Sequence, residues 1–142
     1  MKTAHADIHS SRTVRTLIAD DSPFMLKSLA QILGLEGNFT LVGTATDGYQ
    51  AVRQALATKP ELILMDLHMP HLNGIEVTRY IKQFKNPPVV IIAASDDTPD
   101  SRALAKRAGA DTFVTKRGDL RAQLKVIFRQ LLNAHYEPCT LQ

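Results

Sequence analysis

The stretch Leu62-Ile63-Leu64-Met65-Asp66-Leu67-His68-Met69-Pro70 decides the fold of this chain. Its opening residues are apolar without a break, whereas a strand covered on one face only would alternate apolar and polar residues. An unbroken run is typical of a parallel strand that helices cover on both faces. The run ends at a carboxylate, and in such sheets ligands collect at the carboxyl ends of the strands. The stretch therefore predicts a buried strand over 61–65 with chemistry at its end.

Four more apolar runs rich in β-branched residues predict strands on either side of this one. They cover residues 14–19, 39–45, 89–94 and 112–115. Between and after the strands lie stretches with the apolar period of a helix. They cover residues 23–35, 49–57, 74–84, 99–108 and 120–132. Strand and helix thus alternate five times along the chain.

Polar side chains that can accept free backbone N–H groups mark four of the helix starts. They are Ser22 before Pro23, Asp47 before Gly48, Asn73 before Gly74, and Thr98 before Pro99. We therefore expect an α/β fold with a doubly wound, five-stranded parallel sheet and five helices. The domain should occupy residues 13–135, between a flexible N-terminal tail over 1–12 and a C-terminal tail over 136–142.

The composition argues against several classes of protein. The 142 residues suit one domain, and 44% apolar with 22% charged residues is ordinary for a soluble globular protein. No apolar run approaches the roughly 20 residues of a membrane span, and residues 1–12 lack the features of a secretory signal. We therefore expect a cytoplasmic protein without membrane contact. The net charge of +3 comes from scattered Lys and Arg residues, which does not favour direct nucleic acid binding.

Charged side chains follow three of the predicted strands. Asp20 and Asp21 come directly after the first strand, Asp66 after the third and Lys116 after the fifth. Like charges at one sheet edge repel and shift each other's pKa unless a cation neutralises them. A hard divalent ion with oxygen ligands fits, and Mg2+ is favoured because it takes one or two carboxylates and leaves positions for phosphate oxygens. Lys116 can stabilise charge that builds up on a transferred phosphoryl group.

These segments resemble the receiver domain of bacterial two-component response regulators, over about residues 13–135. The resemblance rests on the order and spacing of several short motifs along the chain. The matching segments are Leu17-Ile18-Ala19-Asp20-Asp21-Ser22, Asp47-Gly48, Leu64-Met65-Asp66-Leu67-His68-Met69-Pro70, Asn73-Gly74, Ala108-Gly109-Ala110-Asp111 and Val114-Thr115-Lys116. The family has a flavodoxin-like fold and includes single-domain members that resemble the chemotaxis regulator.

The resemblance implies a phosphorelay function for this chain. Asp66 would be phosphorylated by the phosphohistidine of a histidine kinase or a histidine phosphotransfer protein. Asp21, Asp66 and the backbone carbonyl of His68 would bind Mg2+ directly, while Asp20 would act mainly through water. Lys116 would hold a phosphoryl oxygen. The signal would pass to a downstream protein target, and a homodimer is compatible with the family.

One departure from the family concerns the switch position at the end of the fourth strand. Receivers usually carry a Ser or Thr there, whose hydroxyl bonds a phosphoryl oxygen. The spacing back from Lys116 places Ala94 at this position, and a slip of one residue gives Ala93. Ser95 could replace the hydroxyl only if the strand end is bent or bulged. Because the hydroxyl is missing, we expect weakened or altered coupling to the output surface. Phe113 matches the aromatic switch residue on the fifth strand, with burial as plain core an equal alternative.

Two further family positions concern the lifetime of the phosphoryl group and the last active-site loop. His68 and Asp96 stand where the family places control of that lifetime, although both could equally be solvated loop residues. Arg117 follows Lys116 where the family commonly has a proline after a cis peptide bond. A cis bond before a non-proline residue costs about 3 kcal/mol, so we expect a trans link.

Other protein classes share part of these motifs. Haloacid-dehalogenase phosphatases also use an aspartate at a strand end, but they need a second aspartate where His68 stands. Cobalamin-binding flavodoxin-like modules share the Asp66-Leu67-His68 pattern, but His71 occupies the place of their glycine. Neither class explains the other carboxylates together with Lys116.

The length of the chain after Lys116 limits the kind of output that the domain can have. Only one helix of about 14 residues and a short tail follow, too little for a helix-turn-helix effector of about 60 residues. We therefore expect output by protein binding and no enzymatic activity beyond weak self-dephosphorylation. The alternative is a fragment of a longer DNA-binding transcriptional regulator, since Asp96-Asp97-Thr98-Pro99 resembles receivers that precede such domains.

Overall fold

A computed structural model describes residues 13–136 of the chain. Five strands and five helices alternate along it, in the order that the apolar runs predict. The strands are β1 (Val14–Ala19), β2 (Phe39–Ala45), β3 (Leu62–Asp66), β4 (Val89–Ala94) and β5 (Thr112–Thr115). The helices are α1 (Pro23–Glu36), α2 (Gly48–Thr58), α3 (Gly74–Ile81), α4 (Pro99–Ala108) and α5 (Leu120–Tyr136).

The four predicted helix caps are confirmed. The side chain of each cap accepts a hydrogen bond from the backbone N–H three residues later, which satisfies one of the free donors of the first turn. The capping residues are Ser22 for α1, Asp47 for α2, Asn73 for α3 and Thr98 for α4. At α3, Glu76 also accepts the N–H of Asn73, which completes a capping box.

All strand pairs are parallel, and the sheet has the order β2-β1-β3-β4-β5. The chain moves outward from β1 to β2, then crosses to the other side of β1 and continues outward through β5. The order therefore reverses between β1 and β3, and the crevice beyond their carboxyl ends is where such sheets bind ligands. The predicted fold class is confirmed.

Helices cover both faces of the sheet, which explains why the strands are apolar throughout. One core cluster includes Leu17, Ile63, Met65, Ile92 and Ala94 of the strands, together with residues of α2, α3 and α4. The other core cluster joins the opposite face of the same strands to α1 and α5. The sheet is thus buried on both sides. Functional side chains can therefore meet at the carboxyl ends of the strands, where the helices leave the sheet uncovered.

Several element bounds differ from the sequence prediction by one to four residues. β3 runs one residue further, to Asp66 itself, and α3 ends at Ile81 where the apolar period predicts 84. α5 continues to Tyr136, four residues beyond the predicted 132. Residues 1–12 and 137–142, most of the two predicted tails, lie outside the described residues. Within residues 13–136, no helix combines the length and apolar character that crossing a bilayer requires.

Candidate functional site

The carboxyl ends of β1, β3 and β5 bring two carboxylates and one ammonium group into direct contact. Nζ of Lys116 lies 2.6 Å from Oδ2 of Asp20 and 3.0 Å from Oδ1 of Asp66. These side chains come from residues far apart in the sequence, and they meet because parallel strands end along one edge. Lys116 therefore bridges the two acids at the point where the strand order reverses.

The two bridged carboxylates are buried and held in fixed orientations. Asp20 is 1% exposed and Asp66 is 6% exposed. Oδ1 of Asp20 accepts the N–H of Ser22 at 2.9 Å, and Oδ1 of Asp66 accepts the N–H of His68 at 3.4 Å. Within the described part of the chain, Oδ2 of Asp66 accepts no hydrogen bond. One oxygen of Asp66 is thus anchored while the other keeps its lone pairs for another partner.

The electrostatics of the site follow from this burial. Burial raises the pKa of Asp66 from 3.8 to about 6, and the charge of Asp20 adds to the rise, although the hydrogen bond and charge of Lys116 oppose it. Burial also pulls the pKa of Lys116 downward, but its bonds to Asp20 and Asp66 outweigh this effect and raise that pKa above 10.5. At neutral pH the acid is largely ionised and the lysine remains charged.

A third carboxylate completes an acidic cluster. Ligand oxygens of Asp20, Asp21 and Asp66 all lie within 4.8 Å of one another, and Asp21 is exposed to solvent. Three carboxylates against the single ammonium of Lys116 leave an excess of two negative charges. Oxygen donors with uncompensated charge fit a hard divalent cation such as Mg2+. The donor set therefore suits the predicted metal, and Asp21 provides the solvent-facing side.

The loop after Asp66 passes very close to the next helix. A Cβ atom on Gly74, the first residue of α3, would lie 2.2 Å from the carbonyl oxygen of Asp66. The N–H of Gly74 donates to the carbonyl of Leu67 at 2.8 Å. Within the loop, His71 has the left-handed backbone angle φ 71° and stacks its ring on Tyr49 at 5.3 Å. Glycine at position 74 thus lets α3 begin against the backbone of the buried acid.

The two positions predicted for the switch residue carry methyl groups at the end of β4. Ala94 ends β4 and is fully buried, and Ala93 is the register partner of Asp66. No register shift interrupts the pairing of β4 with β3 or β5, so the strand end is not bulged. Ser95 lies beyond the strand and is exposed. The amide of Lys116 bonds the carbonyl of Ala94 at 2.8 Å, which fixes β5 beside this position.

The two positions expected to act on phosphoryl lifetime contact each other. Nε2 of His68 lies 3.2 Å from Oδ1 of Asp96, and both side chains are largely exposed. The other oxygen of Asp96 accepts the hydroxyl of Ser101, in the first turn of α4, at 3.2 Å. The backbone N–H of Asp96 itself, followed by the bonds from His68 and Ser101, lowers the pKa of Asp96. The contact joins the loops after β3 and β4.

Phe113 is partly buried, and the sequence did not predict what covers it. The guanidinium carbon of Arg102 on α4 lies 4.8 Å from the centre of the Phe113 ring, within cation–π distance. Asp97 holds that guanidinium through two oxygens, at 2.5 and 3.0 Å. Asp97 lies two residues before α4 and Arg102 is the fourth residue of that helix, and their opposite charges five residues apart were the available signal in the sequence.

The loop after Lys116 confirms the expectation of a trans peptide bond. No peptide bond within residues 13–136 is cis, so the link between Lys116 and Arg117 is trans as predicted. Gly118 then adopts the left-handed angle φ 77°, which glycine allows without steric cost. The chain turns here into α5, where Gln123 bonds both the N–H and the carbonyl of Thr115. The end of β5 that carries Lys116 is therefore tied to α5.

The match to known families agrees with this geometry. Residues 16–128 match the family model described as the response regulator receiver domain. This chain belongs to the response regulator receiver family. It is a receiver domain of two-component systems, and the resemblance inferred from its motifs is confirmed.

Two solved receivers show how closely the fold agrees. The response regulator domain of Thermotoga maritima CheB is 36% identical with a TM-score of 0.79, and the match covers 86% of this chain and 98% of that one. A chain of the CheX-CheY-BeF3-Mg+2 complex from Borrelia burgdorferi is 27% identical with a TM-score of 0.79, covering 88% of this chain and 93% of that one. This receiver therefore has the chain path of both.

The curated relatives correct one expectation. Protein-glutamate methylesterase/protein-glutamine glutaminase from Thermotoga maritima is 38% identical over 86% of this chain. A relative with the same name from Pseudomonas fluorescens is 42% identical over 72% of it. The prediction of no enzymatic activity beyond weak self-dephosphorylation is wrong, because these relatives are named as enzymes. That prediction was based on the short stretch after Lys116, and its length does not show what a receiver controls.

The relatives are much longer than the matched region. The receiver spans 35% of the Thermotoga protein and 28% of the Pseudomonas protein, about a third of their length. The similarity therefore concerns their receiver portion. These relatives are named for esterase and glutaminase activity. The expected likeness to receivers that precede DNA-binding domains stays a prediction, and a two-component response regulator of the LuxR family from Aurantimonas is also similar, at 29% identity and a TM-score of 0.79.

Proposed function

We propose that Asp66 accepts a phosphoryl group from a phosphohistidine on a histidine kinase or a histidine phosphotransfer protein. The observation that carries the proposal is the bridge of Lys116 between Asp20 and Asp66, with the exposed carboxylate of Asp21 beside it. This arrangement offers one nucleophilic oxygen, one fixed ammonium and a set of oxygen donors for Mg2+. The Borrelia relative, solved with BeF3 and Mg2+, supports the same reading.

The transfer step follows from the orientation of Asp66. Its Oδ2, which has no hydrogen bond within residues 13–136, attacks phosphorus, while Oδ1 stays anchored by Lys116 and the His68 amide. A P–O bond forms as the P–N bond to the donor imidazole breaks, and that nitrogen leaves with the electron pair. Lys116 can then donate to a phosphoryl oxygen. Alignment and charge neutralisation supply most of the assistance, because the donor is already activated.

The cation would be held by Asp21, Asp66 and the backbone carbonyl of His68, with Asp20 acting through water. When bound, it would neutralise the charge on the phosphoryl oxygens. The local excess of two negative charges opposes the approach of an anionic donor, so this site requires a counter-charge for transfer. The exposed side chain of Asp21 gives the ion a route from solvent.

Labelling by acetyl phosphate with Mg2+ tests this proposal directly. We expect stoichiometric phosphorylation of the wild type, no labelling of Asp66→Asn, and at least about a tenfold slower rate for Lys116→Met. Asp100→Asn is the matched control, since Asp100 is an exposed carboxylate in the first turn of α4. Undiminished labelling of Asp66→Asn would refute the assignment of the acceptor.

The relatives favour a second function at the level of output. We infer that this receiver regulates protein-glutamate methylesterase or protein-glutamine glutaminase activity, since proteins of that name match 86% of its length. The native protein can be immunoprecipitated from its own cells and tested for methanol release from a protein with methylated glutamates, with and without acetyl phosphate. Release that phosphorylation does not change would contradict this output.

A further inference from the structure

We infer that Arg102 is a positioning residue that couples the acceptor loop to the α4–β5 surface, through contacts with Asp97 and Phe113. The inference rests on the proposed phosphorylation of Asp66. It provides a route that does not use the missing hydroxyl, because the buried Ala94 offers only a methyl group at the switch position. Three consecutive contacts of the structure form this route.

The first contact is the hydrogen bond between His68 and Asp96, at 3.2 Å. An ionised carboxylate can only accept, so Nε2 of His68 must donate. Phosphorylation would place a group with about two negative charges on Asp66, two residues from His68. Its oxygens compete with Asp96 for the same N–H. In the phosphorylated protein, His68 would thus have two alternative acceptors, one on its own loop and one on the loop after β4.

The second contact connects the loop that carries Asp96 to residues of α4. Asp96 also accepts the hydroxyl of Ser101, and Ser101 in turn donates its N–H to the cap residue Thr98. The neighbouring Asp97 holds Arg102 through two oxygens. Because Asp96 and Asp97 share a peptide bond, release of Asp96 from His68 changes the position from which Asp97 orients the guanidinium.

The third contact brings the change to the surface. The guanidinium of Arg102 lies over the ring of Phe113 at 4.8 Å, and Phe113 also packs against the core cluster that contains Ala94. The ring therefore contacts both a half-exposed guanidinium and the buried core. A shift of Arg102 alters the exposure of Phe113 without any movement of the β4 end.

The test is the response of the Phe113 ring signals, by 13C-edited NMR, to beryllofluoride with Mg2+. We expect a shift in the wild type that is smaller than the shift at His68. In Arg102→Ala and Asp97→Asn the difference between loaded and unloaded protein should fall by at least about twofold, and Arg102→Lys should restore part of it. Arg107→Ala, another exposed arginine of α4, should leave the difference unchanged.

Fluorine NMR of bound beryllofluoride separates the two possible failures. If the wild type does not bind it, the proposed function fails and the coupling has no input. If every protein binds it but Phe113 responds equally in Arg102→Ala and the wild type, the role of Arg102 is refuted. Absence of any Phe113 response in the loaded wild type would refute it as well.

Discussion

The ionised form of Asp66 lowers the free energy of unfolding of the protein. It is nearly inaccessible to solvent, and burial with the charge of Asp20 raises its pKa to about 6 despite the contact with Lys116. A group with a raised folded-state pKa stabilises the fold at pH values below its unfolded pKa, and this contribution is lost as the pH rises through the folded value. At neutral pH the ionised carboxylate of Asp66 therefore destabilises the domain that holds it.

The Asp66→Asn variant should remove this pH dependence. In urea titrations without divalent cations, the free energy of unfolding of the wild type should fall by about 2–3 kcal/mol relative to the variant between about pH 4 and pH 7. Asp100→Asn, which changes an exposed carboxylate, should run parallel to the wild type. Parallel curves for the wild type and Asp66→Asn would contradict the elevated pKa.

The residue-level contacts differ in how far the sequence predicts them. The meeting of Asp20, Asp66 and Lys116 follows from strand ends in a parallel sheet, so their position after apolar runs was sufficient. The bonds of His68 to Asp96 and of Arg102 to Phe113 depend on loop paths and side-chain rotamers. No periodicity encodes these paths, and the contacts join residues whose separation in the chain carries no regular signal.

Two helical glycines illustrate how an element's surroundings decide the effect of one methyl group. Gly34 lies near the end of α1, and a Cβ atom there would have no neighbour within 4 Å. Gly74 begins α3, where the same atom would lie 2.2 Å from the carbonyl oxygen of Asp66. Both positions are helical, so alanine would be favoured at each on propensity alone.

Substitution of these glycines by alanine should therefore have opposite effects. We expect Gly34→Ala to raise the free energy of unfolding by about 0.5–1 kcal/mol through helix propensity. Gly74→Ala should lower it by about 1–3 kcal/mol through overpacking against the backbone of Asp66, and should slow the proposed labelling by acetyl phosphate. Chemical denaturation measures both changes, and stabilisation by Gly74→Ala would contradict the close approach.

At the element scale, starts were predicted better than ends. The helix starts carry caps with a local mechanism, and Ser22, Asn73 and Thr98 act as expected. The end of α3 has no such signal. Its apolar period continues to Phe84, but Phe84 packs against the core from a turn beyond the helix. Apolar spacing alone cannot distinguish a last helical turn from a buried turn.

The whole molecule depends on α5 to close one face of the sheet. Phe128 of α5 is 1% exposed and lies 4.4 Å from Phe39 of β2, measured between ring centres. Gln123 ties the same helix to the end of β5. The last helix therefore contacts both edges of the sheet, and its docking should be required for the stability of the entire domain.

Truncation of this aromatic contact tests that role. Phe128→Ala should lower the free energy of unfolding by about 3–5 kcal/mol, because it removes a large buried side chain and leaves a cavity. Val126→Ala on the exposed side of the same helix should change it by less than about 0.5 kcal/mol. A single cooperative transition followed by circular dichroism would show one unit, whereas early loss of α5 alone would contradict it.

The exposed position of Asp21 has a consequence for kinetics. Asp20 and Asp66 are enclosed by the sheet, but the third carboxylate of the cluster faces solvent. A cation can thus enter and leave through that side while the strands and helices stay in place. Its residence would be set by exchange of water ligands and not by unfolding, so occupancy would follow the free ion concentration from moment to moment. The domain would sample the surrounding ion pool at equilibrium instead of retaining one ion from the time it folds.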